Sequence, residues 1–341
     1  MRLPVFDGHN DVLLRIEKGG SFVEESEDGH LDLPRARRGG FSGGLFAVFV
    51  AGARLRKPPE KPSGSYALPL SPAIEPERAR ARADQLTALL FELESQGGLQ
   101  VVTTAADVES SIAGGTIAAV LHFEGAEAIR DLDELESDYR RGLRSLGLVW
   151  SRANRYAESV PFRFPASPDT GPGLTRDGRE LVRACNRLGI LVDLSHLNLR
   201  GFFDVAEISE APLVASHSNA HALCASTRNL TDEQVDAIAA SGGLVGVNFA
   251  VAFLREGGRP DPDTPLETVA RHIDYLVERM GIDHVGLGSD FEGAAPPNEL
   301  RDVTGLPKLF EHLRARGYDE AAQRKIAHEN WLRVLRATWG G

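Results

Sequence analysis

Six side chains that can bind a metal or move a proton follow short apolar runs of the sequence. Each run has the length and composition of a buried strand. If the ends of these strands met at one edge of a fold, imidazoles and carboxylates would converge there, and these groups are typical ligands of hydrolytic metal sites. The six are His9 and Asp11 after LPVF, Glu124 after TIAAVLHF, His196 after ILVDLS, His217 after PLVAS and Asp290 after HVGLGS.

The donor types are those of a hydrolytic centre with two metal ions. Two cations about 3.5–4 Å apart need a bridging carboxylate, a few terminal ligands and space for a bridging hydroxide. Glu124 suits the bridge because a carboxylate offers two oxygens and its strand lies between the others. His9 and Asp11 are two positions apart on an extended chain and point the same way, so they can share one metal. His196 and His217 can hold the second.

The ligand set favours Zn²⁺ over Mg²⁺ or Ca²⁺, with Mn²⁺, Co²⁺ and Fe²⁺ as alternatives. A carbamylated lysine bridges the metals in many binuclear barrels, but the lysine positions argue against one here. None of the five lysines follows a predicted strand, which leaves a glutamate as the natural bridge. The five are Lys18, Lys57, Lys61, Lys308 and Lys325.

Each of these residues also has an ordinary structural explanation. A His-x-Asp pair can form a turn, a histidine beside a serine can be a buried hydrogen-bonded side chain, and Glu124 or Asp290 can cap the next helix. These explanations would have to hold at five strand ends together. The metal site is therefore the preferred interpretation.

The elements that would position these residues alternate along the chain. Eight apolar runs are continuous rather than alternating, which is typical of parallel strands buried on both faces. Segments of helical period lie between most of them, so the pattern predicts a (β/α)8 TIM barrel formed by residues 1–341 as one domain, with a doubly wound open sheet as the alternative. The runs are 3–6, 44–50, 116–123, 146–150, 190–195, 212–216, 243–249 and 284–289, and the clear helices are 77–96, 131–146, 175–189, 231–243 and 264–281.

Two irregular stretches rich in Pro, Gly and Ser follow the second and fourth predicted strands. They cover residues 54–76 and 157–175. The C-terminal ends of barrel strands carry the active site, so these stretches are predicted to be long βα loops on the catalytic face.

The composition of the chain limits the classes of partner and the compartments that we expect for the protein. The formal net charge of −11 argues against nucleic acid or an anionic membrane as the main partner. No apolar run reaches the length of a transmembrane helix, and we expect neither a secretion signal nor a lipid anchor. Two cysteines, Cys185 and Cys224, are too few for a disulfide framework. We therefore expect a cytoplasmic, reduced enzyme.

Motifs spread over nearly the whole chain resemble those of the renal (membrane) dipeptidase family of zinc dipeptidases, including its soluble bacterial members. The motifs occur in family order, and the set is far more specific than its first member alone. They are DGHNDVL, FEGAEAI, GLVWSRANRYA, LVDLSHLN, ASHSNAHAL, STRNLTDEQV, GGLVGVNF, HVGLGSDFEG and NWLRVL.

The resemblance implies a (β/α)8 barrel of the metal-dependent, amidohydrolase-like type with two zinc ions. One zinc would be bound by His9, Asp11 and Glu124, and the other by Glu124, His196 and His217. A metal-bridging hydroxide would attack the scissile carbonyl of a dipeptide, and Asp290 would carry the proton from that water to the leaving amine. The family also forms homodimers, so a homodimer is expected.

The resemblance also assigns the substrate pocket. Arg228 in STRN would hold the free C-terminal carboxylate, a role that suits its planar guanidinium group. Many mammalian members carry at the end of strand 4 a histidine thought to steady the tetrahedral intermediate, where this chain has Trp150. Trp150, Tyr156 and Phe253 thus become candidates for shaping the pocket.

The ligand set together with the resemblance to this family therefore predicts a zinc-dependent dipeptidase, and the resemblance implies that it accepts dipeptides with a D-residue at the C-terminal side. One alternative is another binuclear hydrolase, acting on a lactone, cyclic amide or phosphoester. Arg228 separates the two because it is useful chiefly for a substrate with a free carboxylate. A further alternative is a non-catalytic barrel.

Overall fold

Eight parallel strands close into a barrel in the computed structural model, which describes residues 3–52 and 64–340. In chain order the strands are β1 (Val5–Asn10), β2 (Phe41–Phe49), β3 (Tyr66–Ala67), β4 (Gln100–Val101), β5 (Ala118–Glu124), β6 (Leu143–Gly147), β7 (Arg163–Phe164), β8 (Leu191–Asp193), β9 (Val214–Ser218), β10 (Leu244–Val247) and β11 (Val285–Leu287). The ring runs β2-β1-β11-β10-β9-β8-β6-β5, and the pairing of β5 with β2 closes it. The barrel prediction is confirmed, and the open sheet is wrong.

Burial on both faces explains why the strands read as continuous apolar runs. Every residue of β5 is buried, and β5 runs in register with β2 from the Gly43–Ala118 pair to the Phe49–Glu124 pair. The short strand β4 pairs with the first residues of β5, beside the start of that strand. Glu124 is the last residue of β5, so the strand delivers its carboxylate to the C-terminal rim of the barrel.

Helices follow the strands and cover the outside of the ring. Among residues 3–52 and 64–340, no helix combines the length and apolar composition that are needed to cross a bilayer. The α-helices are α1 (Val12–Glu17), α2 (Leu33–Gly39), α3 (Pro76–Ser95), α4 (Ala105–Gly114), α5 (Leu132–Arg140), α6 (Arg176–Leu188), α7 (Leu199–Ile208), α8 (Asp232–Ala240), α9 (Leu266–Met280), α10 (Leu306–Ala315), α11 (Glu320–Arg324) and α12 (Asn330–Trp339), and shorter helical turns lie at Val251–Phe253, Ile282–His284, Val303–Gly305 and Lys325–Glu329.

One predicted helix is too long. The sequence indicates a helix over 131–146, but α5 ends at Arg140 and strand β6 already begins at Leu143. Gly142 separates them with a φ of 116°, a backbone conformation that a helix does not contain and that glycine adopts readily. The fourth barrel strand therefore lies earlier than the predicted 146–150.

The last helix closes one end of the barrel. Trp331 of α12 is fully buried in a core cluster with Phe6 of β1, and its indole nitrogen donates to the Leu287 carbonyl at 3.0 Å. A Cβ atom placed on Gly8 or Gly286 would collide with the Trp331 ring, so those two glycines make room for it. With this end filled, the space for a substrate lies at the opposite, C-terminal rim.

The two predicted βα loops meet above that rim. Strands β3 and β7 lie in these loops and pair antiparallel through Tyr66–Phe164 and Ala67–Arg163, and Leu68 N donates to Phe162 O at 2.9 Å. Residues 54–63 of the first loop lie outside the described part of the chain. The loops and strand ends share a buried aromatic cluster, consisting of Phe49, Tyr66, Trp150, Phe162, Phe164 and Phe253.

Candidate metal centre

The barrel brings all six predicted metal-site and acid–base residues together at its C-terminal rim. The Glu124 carboxylate lies among three imidazoles. Its Oε1 is 3.1 Å from His196 Nε2 and 3.6 Å from His217 Nε2. Its Oε2 is 3.8 Å from His9 Nε2. All four side chains are buried, so these polar groups face each other with little water to compensate them.

The ends of β1 and β11 place the remaining two carboxylates. His9 Nε2 lies 3.3 Å from Asp11 Oδ2. Asp290 N donates to His9 O at 3.0 Å, and Asp290 has a φ of 61°, which turns the chain sharply at this point. This left-handed conformation is one that Asp tolerates better than most residues.

Two overlapping groups of ligand atoms are close enough for a metal ion. One consists of His9, Glu124 and His217, and the other of His9, Asp11 and Asp290, with atoms of each group within 4.8 Å of one another. The first group lacks His196, although His196 Nε2 is 3.2 Å from His217 Nε2. The second group includes Asp290, for which the sequence predicts an acid–base role. The grouping therefore differs from the predicted sharing of ligands between two metals.

The pKa values of His9, Glu124 and Asp290 are all raised, so each of these groups holds a proton more tightly than usual. Burial would lower the pKa of His9, but the nearby Glu124 and Asp11 carboxylates outweigh it and raise the pKa to about 10. Burial raises the pKa of Glu124 well above its usual range, and the same effect raises the pKa of Asp290. The buried carboxylates of the cluster thus need positive charge nearby, which protons, the Arg228 guanidinium or a bound metal ion can supply.

The remaining donor atoms of the site are also available to bind a metal ion. Burial lowers the pKa of both His196 and His217 well below the usual value, which favours the neutral imidazoles that can offer a lone pair. Two further buried atoms, His9 Nδ1 and Asp11 Oδ1, have no hydrogen-bond partner in the described part of the chain. Neutral imidazoles with carboxylates are ligands of the kind that Zn²⁺ prefers.

Behind the predicted residues lies a layer of polar side chains that the motif pattern did not single out for a role. Ser151 Oγ is 3.0 Å from His196 Nδ1, and Ser216 Oγ is 2.8 Å from His217 Nδ1. Asn248 donates to Asp290 Oδ2 at 3.1 Å. Asp7 accepts from Ser289 N at 2.6 Å and thereby anchors the residue before Asp290. Asn248 directly follows β10, but Asp7 and Ser216 lie within β1 and β9 and Ser151 lies four residues after β6, so position alone would not have identified these residues.

Arg228 enters the site from the loop after β9. It is buried and donates to His217 O at 3.1 Å, while its Nε has no hydrogen-bond partner among the described residues. Burial lowers the pKa of Arg228, while the carboxylates of Asp290 and Glu124 act in the opposite direction. A buried guanidinium with a spare donor is suited to binding an anionic group.

Two of the three predicted pocket residues contact this site. The Trp150 ring lies 5.8 Å from the His196 ring, and the Phe253 ring lies 5.5 Å from the Arg228 guanidinium carbon. Phe162 links them, because its ring stacks on Phe253 at 6.0 Å and meets Trp150 edge-on at 5.7 Å. Tyr156 lies elsewhere, in the main core, with its hydroxyl donating to the Ile129 carbonyl.

Comparison with known proteins shows one family match and several related sequences. Residues 1–339 match the model of the family described as membrane dipeptidase (peptidase family M19). An uncharacterised protein from the region 5′ of pqqA in Klebsiella pneumoniae is 50% identical over 258 residues, covering 75% of this chain and 95% of that protein. The dipeptidase verJ of Clonostachys rogersoniana is 30% identical over 345 residues, covering 98% of this chain and 84% of its own.

One solved structure is similar to this chain in both sequence and fold. The metallo peptidase from Rhodobacter sphaeroides, solved with a phosphinate mimic of the dipeptide L-Ala-D-Ala, has 49% identity and a TM-score of 0.94, with 99% of this chain and all of that one covered. The chain therefore belongs to the membrane dipeptidase family, peptidase family M19, whose members are metal-dependent dipeptidases.

Proposed function

We propose that this protein is a zinc-dependent dipeptidase that binds two Zn²⁺ ions and hydrolyses dipeptides, including those with a D-residue at the C-terminal side. The observation that carries the proposal is the Glu124 carboxylate set among three buried imidazoles, with the buried Arg228 guanidinium nearby. The dipeptide mimic in the Rhodobacter sphaeroides relative supports the substrate class and the D-configuration.

The metal ligands are proposed as the sequence predicts them. His9, Asp11 and Glu124 would hold one ion, and Glu124, His196 and His217 the other. Two bound cations would polarise the scissile carbonyl and lower the pKa of a water held between them, so that hydroxide is available as the nucleophile.

Asp290 is the proposed proton carrier. Its carboxylate takes a proton from the attacking water and delivers it to the leaving amine, as general base and then general acid. Burial raises the pKa of Asp290, which favours holding that proton between the two steps. Asn248 donates to Asp290 Oδ2 and fixes the orientation of the carboxylate.

Arg228 is the proposed anchor of the substrate's C-terminal carboxylate. Its buried guanidinium lies over the Phe253 ring, which limits the directions that the side chain can take. Phe253 and Trp150 belong to the aromatic cluster and would shape the pocket for the substrate side chains. A pocket role for Tyr156 stays a prediction.

Substitution of Arg228 tests the substrate class. Arg228→Ala removes one or two charge-assisted hydrogen bonds to the carboxylate, each contributing about 1.5–3 kcal/mol, so kcat/KM for dipeptides should fall at least about tenfold. Hydrolysis of a lactone or an amidated dipeptide, which has no carboxylate, should change far less. Assays of both substrate types, across L-Xaa-L-Xaa and L-Xaa-D-Xaa dipeptides, give the comparison. An equal loss on lactones would favour the other type of binuclear hydrolase.

Substitution of Glu124 tests the metal centre. Glu124→Ala should abolish turnover and reduce the zinc content per chain below two, because the bridging oxygens are lost. Zinc content is measured by elemental analysis after dialysis, with Glu92→Ala on the outer helix α3 as the control. A variant that keeps two metals and full activity would contradict the bridging role.

The homodimer and the cytoplasmic location stay predictions. Both cysteines, Cys185 and Cys224, are buried and unpaired.

A further inference from the structure

The Nδ1 atom of His217 is linked by two successive hydrogen bonds to a buried carboxylate. Asp193, the last residue of β8, is buried, and its Oδ2 accepts from Ser216 Oγ at 2.5 Å. Ser216 Oγ in turn lies 2.8 Å from His217 Nδ1. The other carboxylate oxygen of Asp193, Oδ1, accepts from Ser195 N at 3.0 Å and from Ser216 N at 2.8 Å.

The number of protons available to these hydrogen bonds determines which group donates and which accepts in each of them. The Ser216 hydroxyl has one proton. If that proton pointed at His217, two oxygen acceptors would face each other 2.5 Å apart without a hydrogen between them. The Ser216 proton is therefore given to Asp193, and Ser216 Oγ must accept from a proton on His217 Nδ1. His217 Nε2 is then left with a lone pair, on the side that faces Glu124.

His217 differs in this respect from the other two histidines of the site. The partner of His196 Nδ1 is Ser151 Oγ at 3.0 Å, and in the described part of the chain no carboxylate is bonded to that hydroxyl. His9 Nδ1 has no partner among the described residues. Of the three, His217 is the one whose Nδ1 is linked, within the described structure, through a hydroxyl group to a carboxylate, whereas His9 faces the Asp11 carboxylate through its Nε2.

We propose that Asp193 is a positioning residue that acts through the Ser216 hydroxyl to hold His217 with its proton on Nδ1 and its Nε2 free for a metal ion. The inference rests on the proposed metal-dependent function and adds a residue to it. Groups behind a ligating histidine commonly contribute ten- to hundredfold in metal affinity.

The decisive variant is Asp193→Asn, which has nearly the same shape. Its carbonyl oxygen can still accept from the two backbone N–H groups, but its NH₂ group must donate to Ser216 Oγ. The Ser216 proton would then turn to His217 Nδ1, and the imidazole proton would move to Nε2, where it blocks coordination. Zinc affinity should fall about ten- to hundredfold. Asp193→Ala, which leaves the Ser216 proton uncommitted, should lose less affinity.

Competition titration of the apo-enzyme with a zinc chelator measures the affinity, and side-chain ¹⁵N NMR reports the tautomer of His217. Wild type should show a protonated Nδ1, and Asp193→Asn a protonated Nε2. Ser216→Ala should fall between wild type and Asp193→Asn, and Ser151→Ala, behind His196, is the matched control with a smaller loss.

A merely structural role would give the opposite order, with the isosteric Asp193→Asn milder than Asp193→Ala. That order, or a wild-type His217 with its proton on Nε2, would overturn the inference. If Asp193→Asn does not fold by circular dichroism, the wild-type NMR and Ser216→Ala decide. A wild type that binds no zinc would instead overturn the proposed function, so the two failures are distinguishable.

Discussion

At the scale of single residues, Gly293 leaves the room that two carboxylates of the site occupy. A Cβ atom at this position would collide with Asp11 Oδ2 and Asp290 Oδ1. Gly293→Ala should therefore displace both oxygens and lower kcat by at least about tenfold, because catalytic groups must be held within a fraction of an ångström. Gly114→Ala, where a Cβ meets nothing within 4 Å, is the matched control. Equal activity in the two variants would show that the carboxylates tolerate the methyl group.

The residues that could be predicted at this scale are those whose type is rare and chemically specific. His9, His196 and His217 stood at strand ends, and the structure places them around Glu124. Ser151 and Ser216 could not be predicted, since a serine is common everywhere and gains a role only from the imidazole beside it. Tyr156 shows the converse, because an aromatic residue in the right motif lies in the main core.

At the scale of elements, the pairing of β3 with β7 ties the two rim loops together over the site. Leu68→Pro removes the N–H that bonds to Phe162 O, so the loops should separate and the aromatic cluster should loosen. KM for dipeptides should rise several-fold while zinc content stays unchanged, as measured by steady-state kinetics and elemental analysis. Leu68→Ala keeps the N–H and serves as the control. An unchanged KM in the proline variant would separate the pairing from substrate binding.

Helices and strands could be predicted where the apolar spacing and the residues that end an element indicated the same limits. The predicted helix over 264–281 corresponds closely to α9, Leu266–Met280, because its apolar spacing and terminal glycine both mark its limits. The helix over 131–146 ran too far because Leu143 and Leu146 continue the helical spacing although they belong to a strand. The β3–β7 pairing joins residues about a hundred positions apart and left no local signal.

At the scale of the whole molecule, the candidate ligands connect distant parts of the barrel wall. They come from the ends of β1, β5, β9 and β11 and from the turn after β8, so bound metal ions would link strands around the ring. Ions that bind only the folded chain stabilise it by about 4 kcal/mol at a thousand times the dissociation constant. A chelator should therefore lower the Tm by several degrees, and added zinc should restore it.

Calorimetry with and without chelator measures this effect, and Glu124→Ala provides the control because its Tm should respond far less to the chelator. A wild-type Tm that does not depend on the chelator would contradict the link between metal binding and barrel stability. The barrel itself was predictable from eight apolar runs alternating with helices, since both the number and the order of strands follow from that alternation.

The bond between Asp7 and Ser289 spans 282 positions of the chain and has a consequence for the order of folding during synthesis. β1 is translated before the other strands but needs β11 as its second neighbour, so one of its edges stays open until residues 285–287 have been made. A nascent chain that has just completed β9 already holds His9, Glu124, His196 and His217, yet Asp290 has not been translated. Ring closure, and with it the placement of the proposed proton carrier Asp290, therefore comes only after all the other barrel strands have been translated, and such long-range pairing makes folding slow.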